Sequence, residues 1–221
     1  MRSDPVSSIE RIVVLDLDGT VAVGDDPVLV YFRGVAGGDA DEAFARWVET
    51  GEGHRDGYAL VADWAASHRV AEHVRAAAYA ASRAALHSGE AAVAAPAGLA
   101  DLLRDRPRGV RCVLVTNAPV DGIEPLLERL GVAGLLDAVE GDAGKPAGMP
   151  AVLERLLGEA GLPADRLLSV GDVWRNDLEP AAAIGAATAF IDRFDRGEGS
   201  PTFRARTLEA LMPDVERWWS A

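Results

Sequence analysis

The chain has 221 residues, about half of them apolar, enough for one large domain carrying an insertion or for two small domains. A formal charge of -13 and a pI near 4.7 argue against nucleic acid or an anionic membrane as partner, and any anionic substrate needs local positive charge. Cys112 is the only cysteine, which excludes an intrachain disulfide and a thiolate zinc cluster within one chain, and fits a reducing compartment.

The N-terminus, MRSDPVSSIER, lacks a basic segment followed by a long apolar core, and no later apolar run approaches the roughly 18 residues of a membrane span. The expectation is a soluble, cytoplasmic protein. The first strand pattern is RIVVLDLD. From about Val23 to Ala94 the sequence offers no convincing strand and reads as helices, DEAFARWVE, YALVADWAASH and HRVAEHVRAAAYAASRAALHSG. Loops rich in Gly, Asp and Pro flank this stretch, VGDDP and AAPAG, as suits hinges between a core and a lid. Strands then alternate with helices: VRCVLVTN, a weaker LLDAVEG, RLLSVGD and ATAFIDR, separated by AGLADLLRDR, DGIEPLLERLG, MPAVLERLLGEAG and LEPAAAIGA. Such alternation implies an α/β fold with a parallel sheet covered on both faces. The expected division is a core of residues 1–22 and 95–221 and a helical insertion of residues 23–94.

IVVLDLDGT places two acids where an apolar strand ends. Residues two apart on a strand face one side, so Asp16 and Asp18 can point together while Leu17 enters the core. Two such carboxylates repel unless a cation lies between them, and a hard dication such as Mg²⁺ is the natural choice; a solvated strand end is the plainer alternative. Three further segments lie at strand ends, where open α/β sheets bind ligands. VLVTNAP supplies Thr116 and Asn117, suited to a phosphate cradle or to simple capping of the next helix. EGDAGKPAG supplies Lys145, the only lysine, otherwise a solvated loop residue. SVGDVWRND supplies Asp172 and Asp177, which also suit the N-terminal end of a helix dipole.

DLDGT, then TN after a strand, then GKP, then GDxxxND, in that order, resembles the haloacid dehalogenase-like hydrolase superfamily. The resemblance covers about residues 8–22 and 96–195, and the helical insertion corresponds in position and type to a cap. It implies a Rossmann-like, doubly wound parallel sheet of core order 5-4-1-2-3 with an inserted α-helical cap. By motif, Asp16 would be the nucleophile and Asp18 the general acid/base. Thr116 and Lys145 would bind the transferring phosphoryl group, with Asn117 helping to position it. Asp16, the Asp18 main-chain carbonyl and Asp172 would hold Mg²⁺, and Asp177 would touch the metal or its waters, or orient Lys145. The dehalogenases of the superfamily lack an acid two residues after the nucleophile, so Asp18 favours phosphoryl transfer. This sequence departs from the common KPxP-Asp pattern by delaying its second proline to Pro150.

A carboxylate attacking a phosphate meets repulsion of roughly 4 kcal/mol per pair of unit charges at about 4 Å and an effective dielectric near 20. Mg²⁺ and Lys145 would offset it. The reading is a Mg²⁺-dependent phosphatase of a small phosphorylated metabolite: a phosphoglycolate-like acid, a sugar phosphate or a nucleoside monophosphate. A phosphomutase of the same superfamily is the nearest alternative. A signalling receiver is disfavoured by the order of its acids, and a noncatalytic member by the intact motif residues. Within the insertion, TGEGHRDGY joins two helices; in related caps such a loop reads the leaving group, which makes His54 and Arg55 substrate-binding candidates, against a simple interhelical turn. The remaining histidines, His68, His73 and His87, have no convincing metal spacing. Trp218 and Trp219 read as packing residues and Cys112 as a buried small one.

Overall fold

The computed structural model describes residues 8–221; the expectation that residues 1–7 open the core lies outside them. The described chain divides into two compact units, one formed by the chain up to Ala22 together with Ala95–Ala221, the other by Val23–Ala94.

The first unit is built on a six-stranded parallel sheet of order β3-β2-β1-β4-β5-β6, where β1 is Arg11–Leu15, β2 Val110–Val115, β3 Ala138–Glu140, β4 Leu167–Gly171, β5 Ala187–Ile191 and β6 Phe203–Ala205. Five of these strands have the expected order, and β6 extends the sheet beyond β5. Every residue of β1 and β4 is buried, which is why both read as unbroken apolar runs rather than alternating ones. β1 lies at the centre, paired with β2 (Val13 opposite Cys112) and with β4 (Val14 opposite Ser169). On one face Ile12, Val14, Val113 and Val115 pack with Met149, Leu153 and Leu156 of a long helix, Met149–Ala160. Pro150 falls in that helix's first turn, where a missing N–H costs nothing. The C-terminal helix, Leu208–Ser220, packs against β5, β6 and the helix Leu99–Asp105. Its Trp219 is buried, and Trp218 lies under the Arg11 guanidinium at 4.8 Å.

The second unit is all-helical: α1 Asp26–Ala36, α2 Ala40–Thr50, α3 Gly57–Ser67 and α4 Glu72–Ser88. Pro27, Val28, Phe32 and Val35 recur at helical spacing and bury one side of α1. α1 and α4 pack closely, with Ser82 Oγ donating to the Pro27 carbonyl at 2.6 Å. The two ends of this unit meet in an antiparallel bridge, Val23 and Ala94 exchanging hydrogen bonds of 2.9 Å. Among the described residues, no helix is long and apolar enough to cross a membrane.

Candidate active site

The strand order reverses at β1, so the loops after β1, β2, β3 and β4 emerge side by side at one edge of the sheet. Asp16 follows β1 directly, its N–H donating to the Val170 carbonyl of β4 at 3.0 Å. The chain then curls over residues 17–22, the amides of Thr20, Val21 and Ala22 all donating back to the Leu17 carbonyl. Half-buried Asp18 belongs to this curl. Gly19 has φ +88°, and a Cβ there would stand 2.2 Å from Asp172 Oδ2. Glycine is therefore required twice, by the backbone and by the carboxylate lying against it.

Lys145 is the only lysine in the chain, and it is buried. Its Nζ donates to Asp16 Oδ1 at 2.6 Å, to Asp177 Oδ1 at 2.6 Å and to the Val115 carbonyl at 2.8 Å. An ammonium has three N–H groups, so each is directed at a protein oxygen. Burial works to lower the Lys145 pKa, but the charges of Asp16 and Asp177 outweigh it and the net shift is upward. The ammonium stays charged. Burial and the Asp16 charge push the Asp177 carboxyl up, against the pull of Lys145.

A π-helical turn, Trp174–Leu178, folds Asp177 back against Gly171. There Asp177 Oδ2 accepts from the Val173 N–H at 3.1 Å and its carbonyl from Ser169 Oγ at 2.7 Å. After β2, buried Thr116 accepts from the Ala118 N–H at 3.0 Å through Oγ1, leaving its hydroxyl proton to donate. Asn117 Oδ1 accepts from the Lys145 N–H at 2.6 Å, and its Nδ2 donates to the Lys145 carbonyl at 3.0 Å.

Asp16, Asp172 and Asp177 each bring a carboxylate oxygen within 4.8 Å of the others. Carboxylate oxygens are hard donors, and three of them grouped in this way fit a divalent cation. The Asp18 carboxylate stands outside this cluster. Thus Asp16, Asn117, Lys145 and Asp177 form one bonded network, joined at its acidic side by Asp172. His54 and Arg55 lie in the helical unit, between α2 and α3. His54 Nδ1 is 3.0 Å from Asp63 Oδ2, and Arg55 Nε is 3.3 Å from Asp56 Oδ2, while Asp56 caps α3 by accepting from Ala59 N–H at 2.6 Å. Sequence reasoning passed over the Val115 carbonyl and Ser169, since a main-chain acceptor and a strand serine carry no signal in a single sequence.

The family model of the haloacid dehalogenase-like hydrolases matches residues 13–181, a span that takes in every site residue named above. The chain belongs to this family. A curated relative of this haloacid dehalogenase-like hydrolase, the phosphoglycolate phosphatase of Pectobacterium atrosepticum, is 34% identical over 111 residues, 49% of this chain and 44% of the relative. The chain thus spans less than half the length of that relative. A solved structure described as a predicted phosphoglycolate phosphatase from Haemophilus somnus superposes with a TM-score of 0.69 at 18% identity, over 94% of this chain and 98% of its own. The HAD-family protein YfnB of Bacillus subtilis, bound to magnesium, does so with a TM-score of 0.64 at 18% identity, over 93% and 98%. At such identities the likeness is one of fold.

Proposed function

We propose that the chain hydrolyses phosphoric monoesters of small metabolites, with magnesium as cofactor and Asp16 as the group transiently phosphorylated. The observation that carries this reading is the buried contact of Lys145 with both Asp16 and Asp177 at the sheet edge, which fixes a positive charge against a carboxylate nucleophile. The relative from Pectobacterium atrosepticum is named for phosphoglycolate, which favours a small phosphorylated acid as substrate.

Asp16 needs no base, because a carboxylate is a nucleophile as it stands. Its oxygen forms a bond to phosphorus as the bond to the leaving oxygen breaks, and Asp18 donates a proton to that leaving oxygen. Water then attacks the phosphorylated Asp16, giving its proton to Asp18, and the Asp16 oxygen–phosphorus bond breaks to release inorganic phosphate. Lys145 holds Asp16 in place throughout and lends charge to the phosphoryl oxygens; to donate to one of them it must give up one of its three present acceptors. Thr116 donates its hydroxyl proton to the same group. Asp16, Asp172 and the Asp18 main-chain carbonyl, with Asp177 beside them, would hold magnesium, which would supply positive charge to the phosphoryl oxygens when bound. Asp18, rather than an uncharged residue, is what suits the site to a leaving group that needs a proton.

The test is phosphate release from phosphoglycolate, sugar phosphates, nucleoside monophosphates and an aryl phosphate, with magnesium and after chelation. The expected result is metal-dependent release that Asp16→Asn abolishes. A wild-type protein inactive on every ester, or an Asp16→Asn variant with full activity, would refute the proposal. Interconversion of sugar phosphates without net release would replace the hydrolase with a mutase.

A further inference from the structure

Asn117 follows the phosphate-binding Thr116 and is placed, by sequence, to contact the phosphoryl group. Its bonds lead elsewhere. Beyond the end of β2 and β3 the two loops continue to pair: the Thr116 N–H donates to the Glu140 carbonyl at 2.9 Å, the Ala143 N–H to the Thr116 carbonyl at 3.0 Å, and the Asp142 N–H to the Ala118 carbonyl at 2.9 Å. Main-chain pairing between these loops reaches no further than Ala143 among the bonds described. Two residues on, the Asn117 carboxamide takes over, its oxygen receiving the Lys145 N–H and its nitrogen donating to the Lys145 carbonyl. One side chain thus stands in for a strand partner at the residue whose other end is fixed by Asp16, Asp177 and Val115.

We propose that Asn117 is a positioning residue: its carboxamide clamps the main chain of Lys145 and so determines where the ammonium meets Asp16 and Asp177. This rests on the phosphatase reading for its catalytic consequence, and on geometry alone for the clamp. A lysine side chain has four rotatable bonds, so a buried ammonium with three acceptors is reproducibly placed only if its main chain is held as well. An amide satisfies both the donor and the acceptor of the Lys145 peptide groups, which neither an aliphatic side chain nor a carboxylate can do.

Because Lys145 is the only lysine, protein labelled with [¹⁵N]lysine gives a single backbone amide signal from that residue. In the wild type this amide should exchange slowly with solvent. Asn117→Ala should speed exchange by about tenfold, the equivalent of one net hydrogen bond, whereas Asn117→Asp, which keeps the acceptor, should retain protection. With magnesium and an aryl phosphate, Asn117→Ala should lower kcat/KM by roughly 10- to 100-fold, the scale of a misplaced catalytic group. A double-mutant cycle with Lys145→Met, read on affinity for inorganic phosphate so that inactive variants still report, separates positioning from direct contact. Asn117→Ala should weaken phosphate binding in the wild-type background and add nothing in the Lys145→Met background. Unchanged amide exchange in Asn117→Ala, or the same fold-loss of phosphate affinity in both backgrounds, overturns the proposal. If the wild type releases no phosphate from any ester, the phosphatase reading falls while amide exchange still decides whether the clamp exists.

Discussion

Replacing Gly171 by alanine should destabilise the protein although β4 would ordinarily gain from a side chain. A glycine inside a strand carries an entropic penalty, and Gly→Ala at a relaxed position commonly stabilises by about 0.4–1 kcal/mol. At Gly171 the added Cβ would meet Asp177 Cβ and Oδ2 at 2.5 Å and Cγ at 2.6 Å, about 1 Å inside ordinary contact. These atoms cannot swing clear, since Asp177 is 2% exposed and held by Lys145 at 2.6 Å, by the Val173 N–H at 3.1 Å and through its carbonyl by Ser169. Overpacking of this kind costs about 1–3 kcal/mol. A displacement of about 1 Å also stretches the charge-assisted bond to Lys145, worth about 1.5–3 kcal/mol. The expected loss is about 3–5 kcal/mol, read from urea unfolding as a lower midpoint at unchanged slope. Gly158→Ala is the matched control: Gly158 is exposed in the helix Met149–Ala160 and its Cβ would meet nothing within 4 Å, so a gain of about 0.5–1 kcal/mol is expected. A Gly171→Ala protein within about 0.5 kcal/mol of the wild type would show that the Asp177 turn is pliant, and that the site is not held as argued.

Two further predictions concern groups outside the site. Asp192, just past β5, is buried; burial works to raise its pKa, but the Arg196 and Gly197 N–H groups at 2.9 Å and the Arg204 guanidinium outweigh it, so the net shift is downward. Asp192→Asn should cost about 1.5–3 kcal/mol at pH 7. The lowered pKa means that this stabilisation is complete above the ordinary carboxylate value of about 3.9 and is lost as pH falls through the folded-state value, so the two proteins should converge in strong acid; a difference independent of pH would refute the charge-based account. Burial pushes the Cys112 thiol up to about 12, so a thiol reagent at pH 8 should react more than about 10²-fold slower with the native protein than in urea. Equal rates would place Cys112 at an accessible surface.

Buried central strands were legible because β1, β2, β4 and β5 are short apolar runs with a turn signal after each, and parallel crossovers leave few ways to arrange them. β6 was not legible: Phe203–Ala205 is three residues with no apolar run, and its parallel pairing with β5 is supported by contacts between residues far apart in sequence, the Thr188 and Thr202 hydroxyls each accepting from the other's main-chain N–H and Arg204 meeting Asp192. The helix α1 was passed over because VLVYF is rich in β-branched and aromatic residues, and its helical period shows only when Val28, Phe32 and Val35 are taken together. The C-terminal helix was obscured by Pro213 in its interior.

The site divides along the same line. Acids at strand ends announce themselves, because an apolar run that stops at Asp16 or Asp172 has few structural uses for a carboxylate there. The bonds that set their geometry do not, because they join residues far apart in sequence: Lys145 to Asp16, Val115 and Asp177, and Asn117 to Lys145. What links the two is charge. A chain of net charge -13 with one lysine has put that lysine against Asp16 and Asp177, two of the three carboxylates that converge here. Lysine suits the position in a way arginine does not: its compact ammonium directs three N–H groups to three oxygens at 2.6–2.8 Å, whereas a planar guanidinium is shaped for a single carboxylate fork. The residues that converge here therefore call for both a divalent cation and a firmly placed ammonium, and the second requirement explains why Asn117 is bonded to the lysine's main chain.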